Sequence, residues 1–265
     1  MADKDSVKQT LIVALLICIV CSVVVATTAV ALKPDQQRNK LLDRNKNILA
    51  AAGLFDEDKH AESDIPQLFE QFSVGLADLQ EKTLLTAEQA AEQGIDLTTY
   101  DQRKASKDPA LSEALTGDQD IAGIGRRERY ANVYMLMDGD NIQRIVLPVR
   151  GYGLWGTLYG FMALEGDMDT VAGLGFFEHK ETPGLGAEVD NPKWKAIWIG
   201  KEIYAEDMSV AAEVLKGAVV KNNPKEIYQI DGLSGATLTS RGVSNLVEYW
   251  MGDSGYGPLL ATLRQ

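Results

Sequence analysis

The segment Asp231–Thr237, which reads D-G-L-S-G-A-T, places a threonine hydroxyl just before a predicted helix. Thr239 or Ser240 can serve as the N-cap of that helix. Backbone N–H groups and the helix dipole favour a phosphate at such a position. A phosphoester on Thr237 is therefore chemically reasonable. A simple capping turn explains the same residues, and the motif alone leaves both interpretations open.

Small residues surround this hydroxyl, and an amphipathic helix follows it. Gly235 and Ala236 would let a modifying enzyme approach Thr237 closely. Apolar residues then recur with helical spacing, and Gly252 stands where a C-terminal stop is expected. The residues on this apolar face are Val243, Leu246, Val247, Trp250 and Met251. We expect the helix to position the hydroxyl.

A second segment, Gly151–Gly156, reads G-Y-G-L-W-G and matches the G-x-G-x-x-G spacing of dinucleotide-binding folds. That fingerprint needs a helix that opens at the last glycine. The residues that follow, 157–161, have the composition of a strand, so we predict a hairpin instead. Trp155 could shape a ligand pocket or belong to the core, and the sequence does not separate the two.

A third segment, Glu181–Gly186, reads E-T-P-G-L-G. Pro183 and Gly184 suit the central positions of a type II turn. Thr182 and the N–H groups of residues 184–186 could then meet the polar edge of a bound ring, and Leu185 its apolar face. His179 precedes this segment, and we assign it no role.

These three segments resemble, in the same order, motifs of the FMN-binding domain family. The chain as a whole resembles the NqrC family, which is part of the sodium-translocating NADH:quinone oxidoreductase, and RnfG of the Rnf complex is the close paralogue. In this family a flavin transferase esterifies the phosphate of FMN to the last residue of D-x-x-S-G-A-T. The resemblance therefore implies covalent FMN on Thr237 and recognition of Asp231 by the transferase.

The same resemblance implies an FMN pocket and an electron-relay function. The expected pocket residues are Trp155, Glu181, Thr182, Gly184, Leu185, Gly186, Ser234, Gly235 and Ala236. The flavin would pass electrons between redox centres of a sodium-pumping NADH:quinone oxidoreductase, and this protein would not turn over alone. The alternatives are an RnfG-type flavoprotein, a membrane-anchored flavin reductase and a scaffold protein without flavin.

Composition limits the other classes of function. The formal net charge of −12 argues against nucleic acid as a partner. Cys18 and Cys21 are the two cysteines, and His60 and His179 the two histidines. We therefore predict neither a disulfide framework nor a metal site.

The N-terminal segment from Leu11 to Leu32 is apolar and uncharged. As a helix it would be about 33 Å long, which is enough for a bilayer core of about 30 Å. A cleaved signal peptide is the alternative, because Lys4 and Lys8 precede it and Ala29–Ala31 resembles a cleavage site. Such apolar regions usually have only about 7–15 residues, so we predict a retained anchor.

The charges that flank this segment bear on its orientation. Five basic residues follow it: Lys33, Arg38, Lys40, Arg44 and Lys46. By the positive-inside rule they would place the domain in the cytoplasm, but large domains translocate largely regardless of charge. The family resemblance implies a single-pass protein of the bacterial inner membrane with a periplasmic domain, and we adopt that prediction. The other expected partners are the lipid bilayer and the remaining subunits of the complex.

The periodicity changes to that of strands near Arg129. The predicted strands are Tyr130–Met137, Ile142–Val149, Leu158–Leu164, Ala172–Phe177 and Glu226–Ile230. We predict an α+β fold with an antiparallel or mixed sheet and helices packed on it. The expected division of the chain is a tail (1–10), a transmembrane helix (11–32), a juxtamembrane helix (33–55), a mostly helical accessory region (56–128), the FMN-binding domain (129–252) and a C-terminal tail (253–265).

Overall fold

The computed structural model describes residues 7–264. The first six residues, which belong to the predicted tail 1–10, and Gln265 of the C-terminal tail lie outside the described residues. The chain divides into two compact units, Met1–Arg44 and Asn45–Gln265. The predicted class is confirmed: a long apolar N-terminal helix precedes an α+β domain with an antiparallel sheet.

The N-terminal helix α1 spans Val7–Ala51. Among residues 7–264 it is the one helix that is long and apolar enough to cross a membrane. It continues through Pro34, so the predicted division into two helices at residues 32 and 33 differs from the structure. Proline removes only one backbone donor, and the helix-forming Gln, Arg, Lys and Leu residues that follow continue the hydrogen-bond pattern.

The domain is built on a six-stranded sheet in which neighbouring strands pair antiparallel. The strands, in spatial order, are Thr83–Leu85 (β2), Phe72–Asp78 (β1), Tyr130–Asp138 (β5), Asn141–Tyr152 (β6), Thr157–Glu165 (β7) and Val171–Glu178 (β8). Two small sheets accompany it: Ser112–Ala114 (β3) with Arg126–Glu128 (β4), and Glu213–Val214 (β9) with Gln229–Ile230 (β10).

The region 56–128 corrects one prediction, because it is not mostly helical. Its helices are short: Ile65–Phe69 (α2), Ala87–Glu92 (α3) and Gln102–Ala105 (α4). Strands β1 and β2 extend the central sheet beside β5. The sequence of β1, F-S-V-G-L-A-D, has little strand propensity of its own, so the pairing with β5 decides its conformation.

Two short segments in the second half of the domain depend on tertiary contacts. Residues 210–215, whose sequence is typical of a helix or of mixed structure, contain strand β9. The predicted strand at 226–230 is a 3-10 turn, Glu226–Tyr228, followed by the two residues of β10. Short runs of this kind have ambiguous periodicity, so tertiary contacts determine their state.

Three helices follow the sheet in the chain: Pro192–Ala196 (α5), Thr237–Met251 (α6) and Gly257–Leu263 (α7). Helix α6 packs on β6, and all five residues of its predicted apolar face are fully buried. The indole N–H of Trp250 donates to the Arg150 carbonyl of β6 at 2.7 Å. A Cβ atom on Gly242 would lie 2.5 Å from the Tyr152 carbonyl oxygen, so the helix passes very close to the end of β6. This contact fixes the start of α6 beside the turn between β6 and β7.

Candidate functional site

The attachment residue expected from the sequence, Thr237, is the first residue of helix α6. The helix begins earlier than predicted, because Ala236 rather than Thr239 or Ser240 is the N-cap. A methyl group cannot accept a hydrogen bond, so the side chain of the N-cap residue leaves the first N–H groups uncapped. The end of a helix of this length then offers donors and a positive field to an anion beside Thr237.

The two hydroxyl residues that were expected to cap the helix are buried in its first turn and bind other segments. Thr239 donates to Oε2 of Glu181 at 2.6 Å. Ser240 Oγ accepts the N–H of Leu233 at 3.0 Å. These contacts explain the correction: the hydroxyls hold the first turn of α6 against neighbouring loops instead of capping it.

The motif that precedes Thr237 is partly exposed. Ser234 and Gly235 are accessible, whereas Ala236 is buried. Asp231 is held inside the domain: its Oδ1 accepts the N–H of Val219 at 2.6 Å, and its carbonyl accepts the indole N–H of Trp194 at 2.8 Å. Asp231 therefore has a structural task in this fold, and its recognition by a modifying enzyme stays a prediction.

The glycine-rich segment 151–156 forms the hairpin between β6 and β7, as predicted. Tyr152 pairs with Thr157, and the N–H of Gly153 donates to the Gly156 carbonyl at 2.8 Å. No helix opens here, so the segment is not a dinucleotide-binding turn. Trp155 is 62% exposed at the tip of this hairpin, which excludes the interpretation as a core residue.

The segment Glu181–Gly186 contains the predicted turn. Gly184 has a φ of 74°, and the N–H of Leu185 donates to the Thr182 carbonyl at 3.1 Å, as in a type II turn. The N–H of Leu185 is therefore used within the turn and is not available to a ligand, contrary to expectation. The Leu185 side chain is 43% exposed. Its Cδ2 would lie 2.9 Å from a Cβ atom on Gly235, so this loop contacts the attachment motif.

Glu181 connects these segments. The residue is only 5% exposed, and Oε1 accepts the N–H groups of Leu154 at 2.9 Å and Trp155 at 3.0 Å. Oε2 accepts the hydroxyl of Thr239. The carboxylate thus joins the hairpin turn, its own loop and helix α6, and contact of Glu181 with a bound ligand stays a prediction.

Two residues to which the sequence analysis assigned no role, His179 and Asp190, support Glu181. The Nδ1 atom of His179 accepts the N–H of Glu181 at 3.2 Å, and Nε2 lies 2.7 Å from Oδ2 of Asp190. The imidazole thus connects the start of the loop to the 3-10 turn Gly186–Asp190. Sequence alone could not pair these residues, because the pairing depends on how the loop folds back.

Leu185 contacts Gly235, two residues before Thr237, and Glu181 joins the backbone of Trp155 to Thr239 of the same first turn. The side chains of Trp155, Leu185 and Leu238 are exposed. Exposed apolar groups thus lie beside an uncapped helix N-terminus that begins at a threonine. A flat apolar ring that carries a phosphate has both features, so the residues present fit FMN.

Comparisons with known proteins agree with this arrangement. The model of the FMN-binding domain family matches residues 153–252, a range that includes the hairpin turn, the Pro-Gly loop and the attachment motif. The crystal structure of NqrC from Shewanella oneidensis superposes with a TM-score of 0.73 at 29% identity, and it covers 86% of this chain and 98% of that one.

Curated relatives extend the similarity over the full length. The NqrC protein of the Na(+)-translocating NADH-quinone reductase of Pseudomonas aeruginosa is 50% identical over 266 residues, covering 100% of this chain and 99% of the relative. The NqrC protein of Vibrio vulnificus is 43% identical and covers 100% of this chain and 98% of its own. With this identity along its whole length, the chain belongs to the NqrC family of Na(+)-translocating NADH-quinone reductase subunits.

Proposed function

We propose that this chain carries FMN as a phosphoester on Thr237 and relays electrons within a sodium-translocating NADH:quinone reductase. The observation that carries the proposal is the position of Thr237 as the first residue of an uncapped helix, beside exposed apolar side chains. Membership of a family named as part of that reductase supports the place in an electron-transfer complex. When bound, FMN supplies a ring that accepts and releases electrons.

The chain's own residues bind and orient this group. The Thr237 oxygen would be the ester oxygen, with its proton and one phosphate OH lost as the elements of water, and the N–H groups of the first turn of α6 would stabilise the remaining phosphate charge. Trp155 and Leu185 offer apolar contact to the ring. Ser234 and Gly235 are accessible, which supports approach by a flavin transferase. An electron carrier of this kind needs no acid–base pair. The sequence shows no nicotinamide-binding motif, so we expect that this protein alone does not oxidise NADH.

The remaining proposals concern location. We propose that α1 is retained as a single-pass anchor in the bacterial inner membrane and that the domain lies on the periplasmic side. A protease added to spheroplasts should degrade the domain, while the same protease added outside inverted vesicles should leave it intact. The reverse pattern would place the domain in the cytoplasm.

The attachment is tested by intact-mass measurement of the full chain after co-expression with a flavin transferase. The wild type should gain the mass of one FMN less one water, because the ester forms with loss of the elements of water, and this added mass should survive denaturation. Thr237→Ala should lose this mass completely, and Thr237→Ser, which keeps a hydroxyl, should retain it. Thr262→Ala on α7 is the matched control and should load like the wild type. An unmodified wild type, with the transferase active on another substrate, would contradict the proposal.

A further inference from the structure

Glu181 is a buried carboxylate whose three contacts are all with neutral donors. Among residues 7–264 it forms no salt bridge, unlike the buried Glu128, which pairs with Arg150 at 2.6 Å. Burying a carboxylate without a cation is costly unless its oxygens are well hydrogen-bonded. Three hydrogen bonds meet this condition for Glu181, and their donors belong to segments that are far apart in the sequence, so the carboxylate links these segments.

Two backbone segments, one at Gly153 and one at Gly186, pack closely against this carboxylate. A Cβ atom on Gly153 would lie 2.5 Å from Oε1, and one on Gly186 would lie 2.5 Å from Oε2. Any larger residue at either position would push the carboxylate away from its donors. Both glycines belong to the two segments whose tips carry the exposed Trp155 and Leu185. The packing of both loops around Glu181 thus determines the positions of the Trp155 and Leu185 side chains.

The third hydrogen bond joins Glu181 to helix α6. Thr239 lies two residues after Thr237 in the first turn of α6, and its hydroxyl is fully buried against Glu181. One carboxylate therefore joins the turn that presents Trp155 to the turn that presents Thr237. These are the places where the ring and the phosphate of one FMN would be held.

We propose that Glu181 is a positioning residue that acts through Thr239 to fix the attachment hydroxyl relative to the ring-contacting turn. The proposal rests on the proposed function of Thr237. The ribityl chain that joins the phosphate to the ring of FMN is flexible but limited in reach. A site whose two turns are already held at a fixed separation therefore binds the ligand with less loss of conformational freedom. Loss of the link lets the first turn of α6 and the hairpin move separately.

The test compares Thr239→Val, which keeps the shape but removes the hydroxyl, with Thr239→Ser, which keeps the hydroxyl. Full-length chain is incubated with the transferase, and the loading rate is followed by intact mass. Thr239→Val should load roughly tenfold more slowly, as expected when a hydrogen bond to a charged group is lost. Thr239→Ser should recover the rate. Thr262→Val on α7 is the matched control and should load normally.

A spectroscopic measurement separates positioning from loss of stability. The visible circular dichroism of the loaded flavin reports the asymmetric surroundings of the ring. It should change in Thr239→Val and return to the wild-type spectrum in Thr239→Ser. Glu181→Gln combined with Thr239→Val should load no more slowly than the slower single variant, because the two residues act as one unit.

Three results would overturn the proposal while leaving covalent attachment intact: wild-type loading and spectrum in Thr239→Val, fully additive effects in the double variant, or a failure of Thr239→Ser to recover the rate. If Thr239→Val does not fold, Thr239→Ala, which also removes the hydroxyl, gives the same comparison, and an unchanged rate and spectrum there counts against the link. Absence of added mass on the wild type would instead contradict the proposed function of Thr237, and this inference with it.

Discussion

Helix α6 is held by large buried side chains along its C-terminal half and by two hydroxyl groups at its first turn. Trp250 is buried and lies against Tyr256, whose hydroxyl donates to the Pro148 carbonyl at 2.8 Å. At the other end, Thr239 and Ser240 bind neighbouring loops, and the first N–H groups have no side-chain cap. Apolar burial supplies most of the stability of a helix in a protein, so the anchored half lets the first turn keep free donors for a ligand.

Trp250→Ala is the strongest test of the difference between the two ends of α6. Removal of this indole leaves a cavity between α6 and β6 and a carbonyl of Arg150 without its donor. We expect a loss of about 3–5 kcal/mol in the free energy of unfolding. Urea denaturation of the chain in detergent would measure it. A loss below about 1 kcal/mol would mean that packing at this end does not anchor the helix.

The loss of folding stability at alkaline pH tests the same C-terminal half of α6, because this half contains the buried Tyr249. Burial raises the pKa of Tyr249 to about 12, with Arg127 opposing the shift and Glu128 adding to it. The unfolded chain loses this proton near pH 10, so stability falls as the pH rises above 10, by up to about 3 kcal/mol beyond pH 12. The measurement is the urea midpoint at pH 7 and at pH 11.

Tyr249→Phe is the control for that experiment. The Tyr249 hydroxyl is buried, and within residues 7–264 it has no hydrogen-bond partner. Its removal should therefore leave stability at pH 7 unchanged or higher. The variant should lose less stability than the wild type between pH 10 and pH 12. Equal losses in both proteins would show that Tyr249 does not couple to folding.

Gly242→Ala tests the part of α6 that lies between its first turn and its C-terminal half. The added methyl would lie 2.5 Å from the Tyr152 carbonyl oxygen, so the helix must move away from the end of β6. We expect a loss of about 1–3 kcal/mol and slower flavin loading, because the same hairpin carries Trp155. Gly175→Ala on β8 has no atom within 4 Å of its new methyl and should change neither quantity.

Leu238→Ser gives the smallest expected effect on folding. Leu238 is 52% exposed in the first turn of α6, so its removal should change stability by less than about 0.5 kcal/mol. If it contacts the flavin, the visible circular dichroism of the loaded chain should still change. A large loss of stability would contradict the division between an anchoring half and a ligand-facing turn.

Local sequence determined the elements whose signals are short-range. The spacing of apolar residues predicted the buried face of α6, and Pro183-Gly184 predicted the turn. The strand-like composition of residues 157–161 distinguished a hairpin from a dinucleotide-binding turn. These predictions succeeded because periodicity and turn chemistry act over a few neighbouring residues.

The tertiary structure decided what depends on residues far apart in the chain. It placed β1 in the sheet against its weak propensity, moved the start of α6 to Thr237 and exposed Trp155 at a hairpin tip. It also showed that Glu181 links two loops and a helix, which the sequence did not predict. The residue types determine which groups can donate and accept hydrogen bonds, but only the packed chain decides which donors reach a buried carboxylate.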